Sequence, residues 1–237
     1  MKPYQRVPIN DCGEPLVPLS LDDFAVVTPH PYEALGAPYR DRSPYWLRQS
    51  VAVALQQAQQ HLQSTYPNWR IQIFDAYRPL AVQQFMVDYT AQNLAQQQGL
   101  DLAQASAAEK QVLMTTVHQF WALPSSDPQT PPPHSTGAAI DITLVDETGQ
   151  PVNMGSPIDE VSERSHPNHF QGKADPISQQ VHHHRCVLRQ VMATVGFQQH
   201  PNEWWHFSLG DQMWAWLTER STQQPCLARY GSVTSKS

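Results

Sequence analysis

His134-Ser135-Thr136-Gly137-Ala138-Ala139-Ile140-Asp141-Ile142-Thr143-Leu144-Val145 runs from a loop into a strand. From Ala138 onward, Ile140, Ile142 and Leu144 fall on one face, and Ala139, Asp141, Thr143 and Val145 on the other. That is the two-residue period of a pleated strand. Gly137 and the small Ala138 and Ala139 permit a sharp turn and close approach of the backbone to a ligand. His134 ends the loop and Asp141 lies in the strand, an imidazole and a carboxylate suited to a borderline cation. An isolated pair of this kind is more often a hydrogen-bonded His beside an unrelated Asp, so the rest of the chain has to decide.

Working outward, the stretch Pro124–Pro133 holds five prolines in ten residues and is neither helix nor central strand. Upstream of it, Val112, Leu113, Val117 and Phe120 place a helix over about Ala107 to Phe120. Another opens at Pro79, turns Val82, Phe85, Met86 and Tyr89 inward and stops near Gly99. Trp69, Ile71 and Ile73 alternate with Arg70 and Gln72, a half-buried strand ending near Asp75. Ser43-Pro44 reads as a helix start, followed by Leu47, Val51, Ala54, Leu55, Ala58 and Leu62 at helical spacing to about Tyr66. The first 40 residues read as an extended arm laid over the core.

Downstream, Glu147-Thr148-Gly149-Gln150 is a turn, and a helix spans about Ile177 to Val195 with Gly196 as its cap. Ile177, Val181, Leu188, Val191, Met192 and Val195 face inward. Of the run His182-His183-His184 only His184 falls on that apolar stripe, which predicts solvated surface plus one core His. His166 and His169 read as surface loop, and Cys186 as buried packing. Phe197 to Leu209 is aromatic-rich and strand-like, and about 230 to 237 reads as a flexible tail. Helices and strands mix without regular alternation, so the expected class is α+β, in a single domain over 1–237.

Composition narrows the function classes. The formal charge is −6 and the 15 Lys and Arg residues form no cluster, which excludes a polyanion-binding surface. No apolar run reaches the 18 or so residues of a membrane span. The opening Met1-Lys2-Pro3-Tyr4-Gln5-Arg6 has no apolar core of a secretory signal. Cys12, Cys186 and Cys226 are odd in number and far apart, fitting free thiols in a reducing, cytoplasmic setting. Nucleotide-binding glycine loops, GxSxG and HExxH are absent, which leaves His and carboxylate chemistry.

Two further segments carry such groups. In Glu203-Trp204-Trp205-His206 the outer residues converge only if the backbone is bulged, kinked or turned, since residues three apart on a strand face opposite ways. The two tryptophans would shield a metal centre from water. An ordinary aromatic strand with a polar rim explains the same four residues. In Phe74-Asp75-Ala76-Tyr77-Arg78-Pro79 the chain passes from strand to helix, and Arg78 sits where a guanidinium would be fixed into a cleft. By itself, Arg78 could equally be a surface ion pair.

Together the three segments resemble the D-alanyl-D-alanine dipeptidases, zinc peptidases whose best-known member confers vancomycin resistance. That family is marked by DxYRP, HxxGxAxD and ExxH. They stand here, in order, as Asp75-Ala76-Tyr77-Arg78-Pro79, His134/Gly137/Ala139/Asp141 and Glu203-Trp204-Trp205-His206. The similarity continues through Met154-Gly155-Ser156-Pro157-Ile158-Asp159 and Glu163-Arg164-Ser165-His166, and covers roughly residues 30 to 215. The resemblance implies the hedgehog/D,D-peptidase fold, a small antiparallel sheet flanked by helices with zinc in a groove on the sheet. It implies one Zn²⁺ on His134, Asp141 and His206, Glu203 as general base, and Arg78 stabilising the transition state. Asp159 matches the acid that receives the substrate ammonium, and Tyr32 a pocket tyrosine. One departure stands out: the family's usual Ser two residues before the first zinc His is Pro132 here, followed by Pro133.

The expected activity is hydrolysis of D-alanyl-D-alanine or a close D,D- or L,D-dipeptide, with no nucleic-acid or membrane partner and no signal for an oligomeric state. The rivals are a D,D-carboxypeptidase acting on wall peptides, which would need export, and a non-catalytic zinc-stabilised binding module. Presence of both Glu203 and Arg78 speaks for catalysis.

Overall fold

The computed structural model describes residues 2–233. A 3-10 turn at Pro3–Arg6 precedes strands β1 (Leu16–Pro18) and β2 (Ala25–Val26) and a single-turn helix α1 (Pro31–Ala34). Strand β3 (Trp46–Arg48) leads directly into helix α2 (Gln49–Thr65), followed by strand β4 (Arg70–Asp75) and helices α3 (Leu80–Gln97) and α4 (Ala107–Phe120). The second half holds strand β5 (Ala139–Val145), helix α5 (Pro176–Thr194), strands β6 (Gln198–Gln199) and β7 (His206–Ser208), and helix α6 (Gln212–Thr222). This is the expected α+β class.

The five-stranded sheet has the order β2-β4-β5-β7-β6. All its pairings are antiparallel except the edge pair β2–β4, so the sheet is mixed. Strand β5 lies at its centre and is buried along its whole length. Residues directly opposite on neighbouring antiparallel strands share a face. Ile73 opposes Ile142, and Ile140 opposes Phe207, so these side chains make one face. That face packs with Val51, Leu55 and Leu62 of α2 and Leu188 and Met192 of α5 into the main core. A second cluster joins α3 and α4 through Val82, Met86, Leu113 and Val117, with Tyr32 and Trp121 against them.

The opposite face of the sheet carries polar groups. Asp75 opposes Asp141, and Asp141 opposes His206, so three ionisable residues stand abreast on three strands. Regular alternation would have put Asp75 with Ile71 and Ile73. A register shift between Ile73 and Asp75 turns it over, the usual effect of a bulge next to a site.

Several sequence expectations change. The helix expected from Ser43-Pro44 begins at Gln49, because Trp46–Arg48 pair with Leu16–Pro18 as a two-stranded ribbon. Val112 and Ile177, expected inward, are 70% and 67% exposed. Ile177 is the second residue of its helix, and in α4 the buried places are taken by Leu113 and Val117. Phe85 and Tyr89 are half-buried, and Val87 takes the buried place. Cys186 is half-buried, and all three cysteines are free. His184 is buried and donates from Nδ1 to the Asn153 carbonyl at 2.8 Å, whereas His183 and His166 are exposed. The arm over residues 1–40 contributes a strand to the ribbon and one to the main sheet. At the other end, Tyr230 is 1% exposed and donates to Glu14 Oε2 at 2.6 Å. Val233 N–H reaches the Ser135 carbonyl at 3.2 Å. Residues 230–233 are therefore packed, and the remainder of the expected tail, 234–237, lies outside the described residues. Among the described residues no helix is long and apolar enough to cross a membrane.

Candidate metal centre and substrate cleft

His134 comes from a 3-10 turn, Pro133–Thr136, that ends at Gly137 with φ +71°. A Cβ there would lie 2.3 Å from Leu16 Cδ2, so both conformation and space call for glycine. This turn brings the His134 ring over the end of β5. His134 Nε2 lies 3.2 Å from Asp141 Oδ2, His206 Nδ1 lies 3.0 Å from Asp141 Oδ1, and the two ring nitrogens are 3.1 Å apart. All three residues are buried, and each offers a ligand atom within 4.8 Å of the others.

Tautomers follow from the outer partners. His134 Nδ1 lies 2.7 Å from the Ala76 carbonyl, which can only accept, so Nδ1 carries the hydrogen and Nε2 presents its lone pair. His206 Nε2 faces Ser208 Oγ at 3.4 Å, and that hydroxyl gives its proton to Asp211 Oδ2 at 2.9 Å. The hydroxyl therefore accepts from Nε2–H, and His206 Nδ1 presents its lone pair to the cluster. Two oriented imidazoles and one carboxylate, each backed by an outer hydrogen bond, suit a borderline divalent cation. Burial raises the Asp141 carboxyl, but His134 and His206 outweigh it and hold the group below its ordinary value. It is thus a ready anionic ligand.

Glu203 arrives through the irregular backbone expected between β6 and β7. Here His200 N–H bonds to the His206 carbonyl at 2.9 Å and Trp204 N–H to the Ser165 carbonyl at 2.9 Å. Glu203 is 7% exposed, with Oε2 3.8 Å from His206 Nδ1 and Oε1 3.7 Å from His200 Nδ1. Burial, reinforced by Asp141, pushes its carboxyl well above the ordinary range. Both tryptophans belong to the main core; Trp205 also lines the cleft, and Trp204 donates to Ser156 Oγ at 2.9 Å.

Arg78 is 4% exposed and held on every side. Its Nε donates to Asp75 Oδ2 at 2.9 Å, Nη1 to Gln83 Oε1 at 2.9 Å, and Nη2 to Tyr32 Oη and Asp141 Oδ2, both at 3.3 Å. The guanidinium also lies 5.0 Å from the ring centres of Tyr32 and Trp121. Those bonds leave one Nη1 hydrogen uncommitted for an oxygen in the cleft. Burial raises the Asp75 carboxyl, Arg78 outweighs it, and the net shift is downward. Tyr32 donates to Asp159 Oδ2 at 2.8 Å, and Asp159 adopts a left-handed φ of +64° that aims it into the same cleft. Burial, with Asp141 nearby, raises Asp159 to about 7.

All seven residues singled out in the sequence therefore converge on one cleft or its wall. The reading of the sequence missed others. Asp75 was quoted within its motif without a role, yet it anchors Arg78 and also receives Tyr39 Oη at 2.7 Å. Its place three residues before Arg78, at a strand end, was the available signal. Gln83, Trp121, His200, Tyr4 and Lys2 line the cleft as well. Gln83 lies in the first turn of the helix that begins beside Arg78, a signal present in the sequence; Lys2 and Tyr4 lie in an arm without periodicity and carry none.

The family model Peptidase_M15, described as D-ala-D-ala dipeptidase, matches residues 26–226. A D-alanyl-D-alanine dipeptidase of Synechocystis sp. is 48% identical over 241 residues, covering 98% of this chain and 97% of that protein. A D-alanyl-D-alanine dipeptidase of Enterococcus faecalis is 32% identical over 167 residues, covering 69% and 72%. Among solved structures, the LdcB LD-carboxypeptidase aligns over 88% of this chain and 75% of its own, with a TM-score of 0.46 and 14% identity. With a family model spanning most of its length and a near-full-length relative at 48% identity, the chain belongs to the Peptidase_M15 family of D-Ala-D-Ala dipeptidases.

Proposed function

We propose that this chain, acting as one domain with one zinc ion, hydrolyses D-alanyl-D-alanine or a close D,D- or L,D-dipeptide. The observation that carries the reading is the buried His134–Asp141–His206 cluster with Glu203 and Arg78 beside it. His134 Nε2, Asp141 and His206 Nδ1 would hold the ion. Bound there, zinc would polarise the scissile carbonyl and acidify a water to a pKa of about 7.

The chain's own groups do the rest. Glu203, raised by burial, is a base strong enough to take a proton from the attacking water and then pass it to the leaving amine. Arg78, fixed by Asp75 and Gln83, keeps one N–H for the oxygen on which negative charge grows. Asp159, oriented by the Tyr32 hydroxyl, pairs with the substrate ammonium. That pairing selects a dipeptide, because a longer peptide has no free amine at this point. Pro132, at the position where the resemblance implies Ser, offers no hydroxyl to that subsite and leaves the recognition to Asp159 and Tyr32. Free Cys12, Cys186 and Cys226 support a reducing, cytoplasmic setting.

The test is amine release by the zinc-loaded protein from dipeptides differing in chirality and terminal blocking. D-Alanyl-D-alanine should be cleaved, and its N-acetyl derivative should not. Cleavage of a muramyl pentapeptide but not of the free dipeptide would replace this reading with a D,D-carboxypeptidase. Glu203→Gln should keep one zinc per chain by metal analysis and lose nearly all turnover; a variant that stays active removes Glu203 as the base.

A further inference from the structure

A dipeptide carries a carboxylate as well as an ammonium, and the groups assigned so far answer only the ammonium. Two basic side chains, Arg78 and Lys2, line the cleft. Arg78 is committed to Asp75 and Asp141. Among the described residues, Lys2 makes no ion pair within 4.0 Å. We propose that Lys2 receives the free carboxylate of the substrate, as a specificity-determining residue at the end of the cleft away from Asp159.

Three observations support the assignment, which rests on the dipeptidase reading. First, Lys2 is held in place. Its backbone N–H donates to Gln5 Oε1 at 2.8 Å, and its carbonyl accepts from Gln5 N–H at 3.1 Å. Tyr4 in the same turn is 4% exposed, and Gln212 Nε2 of α6 donates to the Val7 carbonyl at 2.7 Å, tying the segment down. Second, Lys2 and Asp159 border different ends. Lys2 also borders a recess with Gln5, His118 and Leu123, whereas Asp159 borders a groove with Tyr32, Phe74 and Trp121. Both residues also line the cleft that holds His134, Asp141 and His206, so each reaches the ligand cluster from a recess of its own. Third, burial pulls the Lys2 ammonium below its ordinary value, so an incoming carboxylate finds a cation already partly stripped of water. Lys2 lies outside residues 26–226 matched by the family model.

The experiment uses the zinc-loaded full chain and two probes, the phosphinate isostere of D-alanyl-D-alanine and its carboxyl methyl ester. Calorimetric titration should show the acid bound about 10- to 100-fold tighter than the ester, the range of one charge-assisted hydrogen bond. Lys2→Gln should abolish that preference while leaving ester affinity unchanged, Lys2→Arg should keep most of it, and Lys2→Glu should reverse it. In dipeptide hydrolysis the Lys2→Gln loss should fall on KM. A preference for the acid that survives Lys2→Gln, or equal weakening of acid and ester, overturns the assignment. Preference that depends on Lys2 in a protein that hydrolyses no dipeptide upholds it and overturns the dipeptidase reading instead.

Discussion

Arg78 fills its surroundings as only a planar fork can, with Asp75, Gln83, Tyr32 and Asp141 around one guanidinium. Lysine at that place keeps the charge but cannot reach four partners and still aim an N–H into the cleft. Arg78→Lys should therefore lower kcat by about 10²-fold with little change in KM, as measured by initial rates on D-alanyl-D-alanine. Asp159 gives a prediction of opposite character, because it binds and does not react. With its carboxyl raised to about 7, it takes up a proton and loses its grip on the ammonium as pH falls through that value. KM should rise below about pH 7, and rise again above about pH 8, where the dipeptide amine itself loses its proton. Asp159→Asn should show a KM at least about tenfold higher, without the acid-side rise. The same raised carboxyl works against stability: its contribution is lost as pH climbs from the ordinary 3.8 to about 7. At this scale the sequence was most legible, since three short motifs in order carried the family resemblance that named the seven groups. For Asp75 the spacing to Arg78 was legible, but its place on the site face was not, because the register shift after Ile73 turns it there.

Among elements, the turn Pro133–Thr136 and the strand β5 carry the design, and Gly137 is their joint. Left-handed backbone and a 2.3 Å approach to Leu16 Cδ2 leave no place for a methyl group. Gly137→Ala should destabilise by about 1–3 kcal/mol in denaturant melts. It should also weaken metal affinity, since the strain is relieved by moving His134 off the cluster. Equal stability and unchanged affinity would show that the turn adapts. Periodicity made the bounds of α3, α4, β4 and β5 legible to within a residue or two. It misplaced the start of α2, since Leu47 continues the apolar stripe of the helix while its backbone belongs to a ribbon with β1. Helix α6 went unread: its stripe is short and broken by Thr218 and Glu219, and its start depends on Asp211, which caps Trp214 N–H while bonding Ser208. A capping residue shared with the metal site is not visible as a cap in sequence.

Over the whole molecule, the site joins parts far apart in the chain: Lys2 and Tyr4 from the arm, Arg78 between β4 and α3, His134 and Asp141 at the sheet centre, and Glu203 and His206 near its far edge. Contacts between such distant segments are what sequence patterns cannot display, which is why the arm read as a wrapper and proved to be a wall of the cleft. Charge then sets what holds these parts together. Asp75, Asp141, Asp159 and Glu203 face Arg78 and Lys2, four acids against two cations, with His134 and His206 presenting lone pairs inward. Burial, with that surplus added, raises both Asp159 and Glu203, and one divalent cation would offset the surplus. The ion would also tie the Pro133–Thr136 turn, β5 and β7 into one unit. Chelation should therefore remove activity and stability together. A ligand at a thousandfold excess over its Kd stabilises the native state by about 4 kcal/mol. For a chain of this size that corresponds to a fall in Tm of about 8–16 °C on stripping. Adding one equivalent of zinc should restore both melting temperature and turnover, whereas the His206→Ala protein should melt low with or without it. A stripped enzyme that melts at the holoenzyme's temperature would mean the sheet, and not the ion, holds the three ligands in place.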